Sequence, residues 1–198
     1  MLKENIVFYK SKINEWQFEA KQFEAYKNNL LGNTDAFIKL NLDFIEDESL
    51  KKVLSLYQKL EADAPTIENR LERILFCSNY LIKSDENLLI ALLDIEKVTN
   101  ETVELQKIKL EKATIFGKLA SKETHPDYNN KALAELESIL NTNNNSNTFK
   151  LAQQAKEELL SKTIQVELQQ YIYNRENTRA FIRYRNTNNL KVSFFKIS

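Results

Sequence analysis

The sequence predicts a mainly α-helical protein: an antiparallel stack of α-hairpins over residues 1–160, then a short antiparallel β-segment over residues 161–198. Three observations carry this expectation. Two Gly and two Pro in 198 residues are too few for a turn-dense β-sandwich or a glycine-cradled nucleotide site. Up to about residue 160 the apolar residues recur at spacings of three and four, the period of a helix face. Beyond that point they alternate, the period of a strand. Hydrophobic residues at 42% and charged residues at 28% are ordinary globular usage, enough to bury a sizeable core.

The first element places Ile6, Tyr9, Ile13, Trp16, Ala20, Phe23 and Leu30 on one stripe. It reads as a long amphipathic helix stopped at Gly32, a residue that tolerates positive φ at a helix C-terminus. Phe8 and Phe18 widen its apolar surface. Further helices are expected at 34–45, 48–62, 66–83, 86–98, 101–120, 130–140 and 147–161. Short polar breaks separate them: 46–48, 63–66, 83–85, 99–100, 125–127 and 141–145. Connections that short make consecutive helices antiparallel neighbours. Thr66 and Asn100 are candidate N-caps, because their side-chain oxygens can accept from free first-turn amides. The hairpin period is close to that of tetratricopeptide arrays, although the Trp-x-x-Leu-Gly signature is absent.

In the tail, Ile164, Val166, Leu168 and Ile172 alternate within Thr163–Tyr173. A second run, Thr178–Arg185, puts Ala180, Ile182 and Tyr184 on one face, with Phe181 pointing the other way. Residues 186–189 read as an Asn-rich turn, and Leu190, Val192 and Phe194 begin a third run to Ile197, whose Phe195 points away. The expected order is a strand, then a hairpin. So small a sheet leaves an unpaired edge and a half-covered apolar face. Either it packs back on the helices or it opens a β-domain completed by other strands.

Twenty-eight basic residues balance twenty-eight acidic ones, which argues against the chain as a whole binding a polyanion. A single Cys excludes an internal disulfide and a multi-cysteine zinc site, and a single His leaves only His125 as a base for a Ser or Cys nucleophile. No signal peptide or membrane-spanning run is visible.

Each candidate site has a plainer reading. Cys77 follows Ile74 and precedes Leu81 on an inner helix face, where a thiol is structural rather than nucleophilic. His125, with Glu123 and Asp127 beside it, could contribute to a metal site but reads as a loop residue at a helix end. Glu46, Asp47 and Glu48 project in different directions and suit a helix start better than a cation loop. Trp16, Phe18, Phe23 and Tyr26 form an aromatic cluster that reads as core, with one under-covered side of the first helix as the alternative. The tail carries Arg175, Arg179, Arg183, Arg185, Lys191 and Lys196 against Glu176 alone. Arg179, Phe181, Arg183 and Arg185 on one strand face could hold single-stranded nucleic acid by phosphate contact and stacking. Edge protection, or pairing with an acidic helical body, is the favoured account of the same residues. Nucleic-acid binding would fall steeply with salt and vanish with Arg183→Glu.

Two stretches carry a resemblance. Residues 35–43 precede a helical pair, Leu50–Leu60 and Ile67–Leu81. Lys131-Ala132-Leu133 and the helix at 147–161 then lead through Leu160–Leu168 into Arg179–Asn186 and Leu190–Phe195. This succession resembles the N-terminal part of large bacterial α2-macroglobulin-like proteins, where a tetratricopeptide-like region passes into the first macroglobulin β-sandwich. That family's thioester Cys and Gln have no counterpart here, since Cys77 stands in Phe-Cys-Ser-Asn-Tyr. No site residue is carried over. The resemblance implies a non-catalytic leading piece of an envelope or periplasmic protease-trapping protein.

The functional expectation is therefore a non-catalytic scaffold with no cofactor, metal or catalytic residue. Its partners would be the remainder of a longer chain and a target protease. A free-standing, cytoplasmic tetratricopeptide-like adaptor is the alternative, and it requires the C-terminal strands to be paired or docked within the 198 residues.

Overall fold

The structure, a computed structural model, describes residues 1–13, 18–100, 102–142, 146–168, 180–187 and 189–193. The chain is mainly helical and ends in a two-stranded antiparallel sheet among the described residues. The helices are α1 (Leu2–Lys10), α2 (Ala20–Phe23), α3 (Lys27–Leu30), α4 (Thr34–Ile38), α5 (Glu48–Asp63), α6 (Ile67–Cys77), α7 (Asp85–Val98), α8 (Thr102–Leu119), α9 (Tyr128–Leu140) and α10 (Asn147–Leu160). A 3₁₀ turn, Glu24–Tyr26, joins α2 to α3, and a π turn, Ser78–Ile82, extends α6. The strands are β1 (Thr163–Leu168) and β2 (Ala180–Arg185).

From α5 onward each helix packs against the next, as short connections require. Their starts are capped by side chains. Asp47 accepts from the Leu50 amide at 2.6 Å, Thr66 from Asn69 at 3.2 Å, Ser84 from Asn87 at 3.2 Å and Ser146 from Phe149 at 3.1 Å. Helix α8 is described from Thr102, and residue 101, between it and the expected Asn100 cap, lies outside the described residues.

The first half departs from expectation. A single helix reaching Leu30 would be about 45 Å long and could not bring both of its ends onto one small core. Instead α1 stops at Lys10, and the chain re-enters as α2, the 3₁₀ turn and α3. Ile6 packs with α1 against α5, while Phe18, Phe23 and Leu30 are buried farther along the same core. Gly32 has no positive φ. It is required for space: a Cβ there would stand 2.2 Å from the Asn28 carbonyl oxygen. The next expected helix, 34–45, ends at Ile38. Gln58 Nε2 then donates to the carbonyls of Phe37 (2.9 Å) and Leu40 (2.8 Å), tying the end of the shortened helix to α5.

In the tail, β1 pairs with β2 in the register Ile164↔Tyr184, Val166↔Ile182 and Leu168↔Ala180. The apolar residues of both runs therefore share one face, as their alternation requires. The pairing partner differs from the expected hairpin: residues 189–193 form no strand. Asn186 adopts φ 55°, and its Nδ2 donates to the carbonyls of Leu159 (2.8 Å) and Ser161 (2.9 Å). That turn ties the chain leaving β2 to the end of α10 rather than reversing it along β2. Trp16, Arg175, Arg179, Lys196, and the continuations of the three runs beyond Leu168, before Ala180 and after Ser193 lie outside the described residues.

Candidate functional site

The residues weighed from the sequence do not converge on one place. Cys77 is fully buried, and burial pushes its thiol up to about 12. His125 lies flat on Tyr128, centroids 4.2 Å apart at 13°. Its backbone exchanges hydrogen bonds with Ser121 (3.0 and 3.3 Å), and its carbonyl accepts from the Tyr128 amide at the start of α9. Neighbouring Asp127 hydrogen-bonds Lys131 at 2.8 Å, which holds its carboxyl below the usual range. Among the described residues no group of three or more His, Cys, Asp or Glu is placed to hold a metal ion. Of the acidic triplet, Asp47 is the N-cap of α5, and Glu46 and Glu48 are exposed beside it.

The aromatic cluster is core. Phe18 and Phe23 are buried edge-to-face at 6.1 Å, Phe23 meets Phe44 in the same way at 6.4 Å, and Tyr26 stacks on Phe44 at 3.7 Å. Lys83, in the left-handed conformation at φ 51°, closes this corner by donating from Nζ to the Phe18 carbonyl at 2.8 Å.

The β-ribbon is the least covered element. Every residue of β1 is exposed, and Val166 at mid-strand retains 57% of its surface. Ile164, Leu168 and Tyr184 stand equally bare on the same face. The opposite face carries Thr163↔Arg185, Gln165↔Arg183 and Glu167↔Phe181. Its cations are partly committed. The Arg183 guanidinium lies 5.5 Å from the Phe181 ring centroid. Arg185 Nη2 donates to the Glu158 carbonyl at the end of α10 and to Ser161 Oγ. Arg185 is thus a C-cap for that helix, a role that competes with phosphate contact.

Two buried ionic centres escaped the sequence reading. In the first, Arg73 Nε donates to Glu61 Oε1 at 2.7 Å, both side chains fully buried. Arg73 also donates to the carbonyls of Leu30 and Gly32, and Thr34 Oγ1 donates to Glu61 Oε2 at 2.8 Å. In the second, Lys112 on α8 bridges Glu96 of α7 and Glu135 of α9. The signal for both lies in the pattern: Glu61 comes four residues after Tyr57, Arg73 four before Cys77, and Lys112 midway between Ile108 and Phe116, four residues from each, so all three fall within apolar stripes. Both centres join helices.

Among the described residues no helix is long and apolar enough to cross a membrane. Neither a known protein family, nor a curated protein, nor a solved structure matches this chain.

Proposed function

We propose that this protein is a non-catalytic scaffold whose helical body holds a β-ribbon ready for completion by further β-structure. The single observation that carries the reading is the bare apolar face of Ile164, Val166, Leu168 and Tyr184. Two strands alone are marginal in water, and an uncovered apolar face of this kind favours association with other strands or a covering layer. The hydrogen-bonded root of the ribbon, where Arg185 and Asn186 cap α10, suits a body that orients an attached β-domain. The resemblance to the leading region of bacterial α2-macroglobulin-like proteins supplies the context: the covering strands would come from the same longer polypeptide, which would trap a protease. That context rests on the residue pattern alone.

The same root favours a second reading, the tetratricopeptide-like adaptor, in which the ribbon is a docked appendage of a self-sufficient fold. One experiment separates the two. Under the scaffold reading, Val166→Lys in the 198-residue chain leaves urea stability within about 0.5 kcal/mol. Trypsin then removes the ribbon while the helical body persists. A loss of roughly 2 kcal/mol or more, with the ribbon as protease-resistant as the body, would mean that Val166 is covered and would overturn the scaffold reading.

A further inference from the structure

A cavity of about 410 Å³ opens between α1 and the α5–α6 pair, well away from the ribbon. Its floor is aromatic: Tyr57 and Phe76 are buried, and Tyr80 stacks on Phe76 with centroids 4.9 Å apart. Ile6, Leu75 and Val7, the last retaining 67% of its surface, add aliphatic lining beside the polar Lys3, Glu72 and Asn79. One cation stands over this floor. Lys10 Nζ lies 5.1 Å from the Tyr57 centroid and 4.8 Å from that of Phe76.

The charges around Lys10 are unevenly matched. Glu72, the carboxylate that lines the cavity, accepts from Lys3 Nζ at 3.1 Å, and Glu68 lies 3.7 Å from the same ammonium. No carboxylate among the described residues comes within ion-pair distance of Lys10. Ring faces stabilise an ammonium but leave its charge uncompensated. Half-burial of that charge pushes the lysine below its ordinary value, although Glu72 opposes the shift. An incoming carboxylate would compensate it where water is already partly excluded, and such pairs are stronger than those on open surface.

We infer that this groove binds a peptide segment in which an acidic side chain, flanked by aliphatic residues, pairs with Lys10 while its neighbours cover Tyr57, Phe76 and Tyr80. The charge specifies an anion. The apolar lining, Ile6 and Val7 from α1 and Leu75 and Phe76 from α6, specifies that aliphatic groups flank it. This inference goes beyond the scaffold reading and does not depend on it, because none of these residues belongs to the ribbon.

The test is an NMR titration of the 198-residue chain with the peptide Ala-Leu-Asp-Leu-Leu-Ala, blocked at both ends. Four further arms use its Asn analogue, a leucine dipeptide with a free C-terminal carboxylate, and the Lys10→Gln and Val7→Glu variants. Val7 is exposed, so Val7→Glu preserves the fold while placing a like charge on the rim. The Asp peptide is expected to shift resonances of Tyr57, Phe76 and Tyr80, and to bind at least about fivefold more weakly to either variant. The Asn analogue should bind wild type at least about fivefold more weakly than the Asp peptide. Equal affinity for the Asp and Asn peptides overturns the inference. So does binding by the free dipeptide alone, or shifts confined to residues outside the groove.

Discussion

Arg73 donates from Nε to Glu61 Oε1 at 2.7 Å in a part of the core from which both side chains are wholly withdrawn from solvent. The guanidinium also lies 4.3 Å from the Phe37 ring centroid and reaches the carbonyls of Leu30 and Gly32. One arginine on α6 therefore locks α5 to the segment containing α3 and α4. The arrangement compensates each charge and uses the carbonyls left free at the end of α3.

Removing one partner exposes what this pair conceals. Arg73→Met strands the Glu61 carboxylate and orphans the Leu30 carbonyl, and should cost about 3–5 kcal/mol in urea unfolding. The double replacement Arg73→Met with Glu61→Met removes the stranded charge and should recover about 2 kcal/mol of that loss. About 1–3 kcal/mol should remain, from the unpaired carbonyl. A single-variant cost below about 1 kcal/mol would show that the pair is solvated rather than buried.

The two glycines should respond in opposite directions to the same substitution. Gly32→Ala drives a Cβ to 2.2 Å from the Asn28 carbonyl oxygen, a backbone atom that cannot step aside. Thermal unfolding should register a loss of about 1–3 kcal/mol. Gly117 lies within α8 with nothing inside 4 Å of the added Cβ. Gly117→Ala should stabilise by up to about 1 kcal/mol through helix propensity alone. Equal effects at the two sites would contradict the close approach at Gly32.

Sequence and structure agree unevenly along the chain. Helices α5 and α7–α10 were legible to within two residues, because each carries an apolar stripe bounded by capping or breaking residues such as Asp47, Ser84 and Ser146. The stripe from Ile6 to Leu30 misled, because a bent chain satisfies the same spacing when both halves fold onto one core. Nothing local announces the end of α1, and tertiary packing decides it. In the ribbon, alternation specified the faces of Ile164 and Tyr184 but not the partner: the hairpin expected between the second and third runs is absent at residues 189–193, and β2 pairs with β1 instead. At the candidate sites, the burial of Cys77 was legible from its neighbours Ile74 and Leu81. The groove under Lys10 was not, because it requires α1, α5 and α6 to meet.

Cys77 provides a pH-dependent test. Its folded-state pKa is raised from 9.0 to about 12, chiefly by burial, so the native state retains a proton that the unfolded chain releases. The corresponding stability is intact below about pH 9 and is lost as pH rises toward 12, at up to roughly 1.4 kcal/mol per pH unit. Burial also raises Tyr57 and acts in the same direction, whereas Lys10, whose pKa is lowered, works against the loss below 10.5. Cys77→Ser should flatten part of this alkaline slope in urea titrations from pH 8 to 11, at the expense of lower stability at neutral pH. Native Cys77 should also resist iodoacetamide at pH 8 until the chain unfolds. Rapid alkylation of the folded protein would contradict the burial.

The root of the ribbon calls for a local readout rather than a global one. Asn186 holds φ 55° and donates to Leu159 and Ser161, while Arg185 caps Glu158. Asn186→Gly preserves the backbone conformation and deletes both side-chain hydrogen bonds, so it isolates the tether from the turn. Because these groups are exposed, the global unfolding free energy should change by no more than about 1 kcal/mol. Amide exchange at the β1–β2 ladder nearest the root, Thr163 and Arg185, should nonetheless accelerate several-fold, while the Ile139 and Ala152 amides of the buried body keep their rates. Asn186→Ala, which loses the bonds and also strains the left-handed turn, should accelerate the same amides further. If neither variant alters exchange at the ladder, the ribbon is held by its own strand pairing alone, and its orientation on α10 is not set by Asn186.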